Sequence, residues 1–70
     1  MLKMKCLEIC KQVIQGKDFY RSLFLVDCGD GTTQLIERYL SKKPEINKVY
    51  DAIVGRTSDL KYLTVTPNIQ

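Results

Sequence analysis

Tyrosines set among basic residues are the side chains here whose type and spacing could do chemistry. Tyr20 precedes Arg21, Arg38 precedes Tyr39, Lys61 precedes Tyr62, and Tyr50 is followed six residues later by Arg56. Aromatic faces stack on nucleobases and cations neutralise phosphates, so this interleaving points to single-stranded nucleic acid. In the last third, Val49 to Arg56 and Leu60 to Pro67 are two β-rich runs around the polar Thr57-Ser58-Asp59. A hairpin there would present rings and cations together. The candidate binding residues are Lys17, Tyr20, Arg21, Arg38, Tyr39, Tyr50, Arg56, Lys61 and Tyr62. Lys5 and Lys11 are further cations, and Lys42-Lys43 reads as a solvated pair before Pro44. Phe19 and Phe24 carry no polar tip and are expected in the core.

Other chemistries fit poorly. The chain has no histidine, so the usual proton shuttle near neutral pH is missing. Cys6, Cys10 and Cys28 offer three thiols without a nitrogen ligand, a poor set for zinc. Asp27 to Gly31 superficially resembles a calcium loop, but glycines occupy the third and fifth positions, where oxygen ligands are needed. No glycine-rich phosphate loop is present. No enzyme activity, metal or other cofactor is therefore expected. The net charge of +3 permits an anionic partner without demanding one.

Glycines and prolines divide the chain into the elements that must hold these side chains. Breaks fall at Gly16-Lys17-Asp18, Gly29-Asp30-Gly31, Ser41 to Pro44, and Gly55 to Asp59. Five segments result: 3–15, 19–28, 32–40, 46–56 and 60–66. Phe19 to Cys28 and Leu60 to Thr66 read as strands. The other three carry two patterns at once. Cys6, Ile9, Cys10, Val13 and Ile14 fit helical spacing, as do Ile46, Val49, Tyr50, Ile53 and Val54. Alternation also fits, with Leu7, Ile9 and Val13 set against Glu8 and Gln12. The preferred expectation is all-β, a small five-stranded OB-like barrel in one domain over 1–70. The alternative is α+β, with two or three amphipathic helices and a small sheet. On that alternative the chain is a phage-type protein-interaction module or an inhibitor of a host protein.

Gly16-Lys17-Asp18-Phe19-Tyr20, followed by Leu23-Phe24-Leu25-Val26-Asp27-Cys28-Gly29, resembles the small single-stranded-DNA-binding proteins of filamentous phages and related mobile elements. Those proteins carry a Gly-Lys-x-aromatic turn and a strand ending in an aliphatic-Asp-x-Gly step. Ser58 to Pro67 resembles their closing strand. The resemblance implies an OB-like barrel, usually dimeric, that coats single-stranded DNA during replication. It maps a turn aromatic onto Phe19 or Tyr20. Only Gly29-Asp30-Gly31 separates strands two and three here, where family members extend a long arm.

Seventy residues bury a small core, and domains of this size commonly gain stability from a crosslink, a metal or a partner. An odd cysteine count, with no apolar leader in Met1 to Lys5, reads as a reduced protein of the cytoplasm. Cys6 and Cys10 are expected as small core residues on one face. A homodimer is the expected source of extra stability, with no membrane contact and no small-molecule substrate.

Overall fold

The computed structural model describes residues 2–56 and 63–69. Five antiparallel strands form one open sheet: β1 (Lys3–Ile14), β2 (Lys17–Asp27), β3 (Thr33–Leu40), β4 (Val49–Arg56) and β5 (Leu63–Pro67). The spatial order is β3-β2-β1-β4-β5. No helix forms among the described residues, so the helical spacing in segments 3–15, 32–40 and 46–56 is incidental. Alternation prevails because each segment finds a neighbouring strand to satisfy its backbone, which periodicity within one segment cannot reveal.

The β1–β2 hairpin closes on the pair Ile14 and Lys17 through Gln15 and Gly16. Both turn residues have positive φ, 51° and 77°, the signature of a type I′ turn whose twist matches the flanking strands. Glycine takes that conformation without strain, and Gln15 does not. Lys17 and Asp18 therefore lie in β2, not in the break the sequence marks. The β2–β3 connection turns on Gly29 and Gly31, both at positive φ. There the Gly29 N–H donates to Asp27 Oδ1 at 2.9 Å, and the Thr32 N–H to Asp30 Oδ1 at 3.0 Å. The Thr32 hydroxyl also donates to Asp30, and with the backbone bond it holds that carboxyl below its ordinary range.

A β-bulge governs what β1 does. Cys6 pairs with Phe24 and Glu8 with Leu23, so Leu7 is an extra residue. The bulge reverses the alternation. Met4 and Cys6 face inward before it, and Ile9, Lys11 and Val13 share that inner side after it, opposite Ser22, Tyr20 and Asp18. Cys6 is buried and Cys10, four residues on, is exposed. The expectation that both cysteines are core residues on one face is thus corrected: the inserted residue separates them onto opposite faces. Cys28 is half-buried.

The core is Met4, Cys6, Phe24, Val26 and Tyr50, with Ile9, Ile36, Leu40, Ala52, Val65 and Ile69 packed around it. Pro44 is fully buried, so the loop between β3 and β4 folds back under the sheet. Phe24 meets Tyr50 edge-to-face with centroids 6.5 Å apart. Ser22 is the buried polar residue beside them, and its hydroxyl donates to the Tyr20 carbonyl at 3.2 Å. Burial pushes the Cys6 thiol up from its ordinary value. One further bond links the two ends of the strand order: Arg38 Nε on β3 donates to the Val65 carbonyl on β5 at 2.8 Å.

Candidate nucleic-acid interface

The sheet register decides which candidate side chains meet. Arg21 and Tyr39 are direct cross-strand partners on the outer face, and Lys17 lies on that same face of β2. Tyr39 is 53% exposed. Arg21 approaches Glu37 only loosely, Nε to Oε2 3.9 Å, which leaves its guanidinium available to a stronger anion. One residue earlier, Tyr20 points to the inner side, opposite Leu40 of β3 and Lys11 of β1. Two tyrosines thus occupy adjacent rungs at one end of the sheet, on opposite faces.

A groove of about 470 Å³ opens on the inner side of that end, lined by Ile9, Lys11, Tyr20, Lys43 and Ile46. Its floor is apolar, its wall is one half-buried ring, and lysines stand on both flanks. Lys11 also reaches Asp18 at 3.5 Å, an exposed pair that costs little to exchange for a phosphate. Lys43 and Ile46 arrive on the 41–48 loop, held down by Pro44 and by Asn47, whose N–H donates to the Cys6 carbonyl at 2.7 Å. Asn47 itself has φ of 67°, the left-handed conformation asparagine tolerates best after glycine. Lys42, on the same loop, borders the patch formed by Leu40, Pro67 and Ile69.

At this end Lys11, Lys17, Arg21, Lys42 and Lys43 outnumber Glu8, Asp18 and Glu37. The remainder of the outer face is balanced, with Lys3 ion-paired to Asp51 and Lys5 set among Leu25 and Val49. Positive charge is therefore concentrated around the end of β3 rather than spread over the sheet.

The other expected residues lie elsewhere. Tyr50 is 7% exposed and packs in the core, where its hydroxyl accepts the Glu45 N–H at 2.8 Å. Lys48 sits over the same ring, 5.3 Å from its centroid. No face of Tyr50 is offered to a base. Arg38 spends its guanidinium on carbonyls, Nε on Val65 and Nη1 on Glu37. Arg56 ends β4 at the far side of the sheet. Lys61 and Tyr62 fall outside the described residues. Phe24 is core, as its type implies, whereas Phe19 is half-buried on the outer face beside Arg21. Sequence reasoning read Lys42-Lys43 as a solvated pair and passed over Ile46. The signal available was Pro44, since a buried proline after two lysines fixes where the loop runs.

Among the described residues, no group of three or more His, Cys, Asp or Glu side chains is placed to hold a metal ion. Comparison with known proteins found no matching family model, no matching curated protein and no matching solved structure.

Proposed function

We propose that this chain is a small OB-like domain that binds single-stranded DNA without sequence preference, by aromatic stacking and phosphate neutralisation. The observation that carries the reading is the pair Tyr20 and Tyr39 on adjacent rungs, ringed by Lys11, Lys17, Arg21, Lys42 and Lys43. A single strand would pass Tyr39 and Arg21 on the outer face, turn at the lysines after β3, and enter the Tyr20 groove. Duplex DNA is too stiff to make that turn and keeps its bases stacked. The OB-like assignment is supported by the strand order, by the long β1 shared between β2 and β4, and by the Arg38 bond from β3 to β5. Those two strands are the neighbours that closure would bring together. The setting we propose is phage or mobile-element replication in the host cytoplasm, with the protein acting as a homodimer and not as an enzyme.

The test is titration of labelled oligo-dT against the wild-type protein and the Tyr20→Ala and Tyr39→Ala variants. Each stacking ring is worth about 1–3 kcal/mol, so each variant should bind between about fivefold and 150-fold more weakly while keeping its β spectrum. Two folded variants that bind like wild type would sink the reading.

One observation favours a second reading, a protein-interaction module. Leu35, Val49 and Ile53 are more than half exposed on the outer face. A host protein docking there would leave the Tyr20 groove untouched, so it predicts no effect of Tyr20→Ala on function.

A further inference from the structure

β1 is two different strands on either side of its bulge. Before the bulge it is sandwiched, paired with β2 on one side and with β4 through Lys3, Met4 and Lys5 on the other. Cys6 ends that contact: its N–H donates to the Lys48 carbonyl at 3.0 Å and its carbonyl accepts the Asn47 N–H. From Glu8 to Ile14 the strand continues for seven residues paired with β2 alone. Among the described residues, no backbone group pairs with its other side.

Which groups face outward follows from the turn. A two-residue hairpin closes on a hydrogen-bonded pair, here Ile14 with Lys17. Counting back by twos, Gln12, Cys10 and Glu8 point their N–H and C=O at β2. Ile9, Lys11 and Val13 point theirs away from it. The outward Cys6 groups fit this count, because the bulge reverses parity between them.

An open edge of this length is ordinarily protected by proline, by a bulge or by free charge. This stretch has no proline and the bulge lies before it; its one lysine leans toward Asp18, and its one acid, Glu8, stands at the near end beside the bulge. Val13 is 66% exposed and Ile14 42%.

We propose that this edge, Glu8 to Gln12 of β1, pairs antiparallel with the same edge of a second copy, joining two β1–β2 hairpins into one four-stranded ribbon. The occupant is a second copy because an antiparallel edge is its own complement across a two-fold axis: the outward N–H and C=O of Ile9 meet those of Lys11 in the other copy, and the reverse. The charges choose the register. Centring on Lys11 would oppose two like charges, whereas centring on Cys10 sets Lys11 against Ile9 and Glu8 against Gln12. The inference goes beyond the homodimer proposed above by naming its surface, and it is continuous with the candidate site. The two-fold axis runs perpendicular to the ribbon, so both Tyr20–Lys11 grooves open on the same side.

The experiment uses the DNA-free protein, which separates its outcome from that of nucleic-acid binding. Sedimentation should give about twice the 8.1 kDa chain mass. Amide hydrogen exchange at Ile9 and Lys11 should be slowed by about tenfold or more relative to a dilute sample. A short bis-maleimide should join two chains through Cys10, and Cys10→Ser should abolish the product. Lys11→Pro removes an outward N–H that the pairing uses, without touching the ladder to β2, and should give a folded monomer. Should that variant unfold, the exchange and crosslinking of the wild type still decide. A monomer at all concentrations overturns the proposal. So does a dimer whose Ile9 and Lys11 amides exchange freely, since it would be built on another surface or would leave the edge for a different occupant.

Discussion

The three described tyrosines divide by environment, and the division sets what each substitution should do. Tyr20 and Tyr39 present rings to solvent or to a groove, so their loss should be read in binding. Tyr50 supports the fold. Tyr50→Phe leaves the Glu45 N–H without its acceptor, which should cost about 1–2 kcal/mol of stability and leave binding unchanged. Phe24→Ala removes the fully buried ring that Tyr50 packs against, a loss of about 3–5 kcal/mol that should unfold much of so small a domain. The thiols divide in the same way. A maleimide or disulfide reagent at neutral pH should modify Cys10 first and Cys28 more slowly. Cys6 should react only on unfolding, because burial both shields it and keeps it protonated. Equal labelling of Cys6 and Cys10 in the folded protein would contradict the bulge.

At the scale of elements, the turns carry the most specific chemistry. Gly16→Ala forces a Cβ into the left-handed conformation and should cost about 1–2 kcal/mol, read as a lower melting temperature. Gln15→Asn places at the first turn position a residue that accepts it more readily and should raise the melting temperature instead. Much of this was legible in the sequence. Gly16, Gly29-Asp30-Gly31 and Pro44 mark the connections, and Phe19 to Cys28 reads as a strand without competition. The choice of strand over helix for segments 3–15 and 46–56 was not settled by spacing, because Ile9, Val13, Val49 and Ile53 satisfy both periods. Only the neighbouring strand removes the ambiguity. The bulge at Leu7 was not legible either. It leaves no glycine or other mark, yet it sends Cys10 outward and brings Lys11 beside Tyr20. Half of the candidate groove follows from that one inserted residue. Tyr20, Arg21 and Tyr39 were legible as site candidates by type and neighbourhood. Tyr50 could not be separated from them, since its burial depends on the Pro44 loop and on Phe24 from another strand.

At the scale of the molecule, charge and shape are arranged unevenly. The outer face away from β3 is balanced and partly apolar, while the end of the sheet near Tyr20 and Tyr39 collects five cations. A protein that binds through that end should lose affinity steeply with salt. Single strands release about 0.7 counterion per phosphate contact, so five contacts give a log–log slope of about −3.5. Charge reversal at Lys43 should flatten the slope by about 0.7 and leave stability unaltered. Arg38 acts at the same scale in a different way. Arg38→Ala removes the bond between β3 and β5, and should lower stability by about 1 kcal/mol without a matching change in salt slope.

Single-strand binding is tested by fluorescence anisotropy of labelled oligo-dT and a matched duplex, titrated with the protein at low and physiological salt. Clear preference for the single strand is expected, with affinity falling along that slope and weakened further by Tyr20→Ala. Absence of binding at low salt, or equal salt-independent binding to both forms, would contradict it and leave the outer face as the surface to pursue.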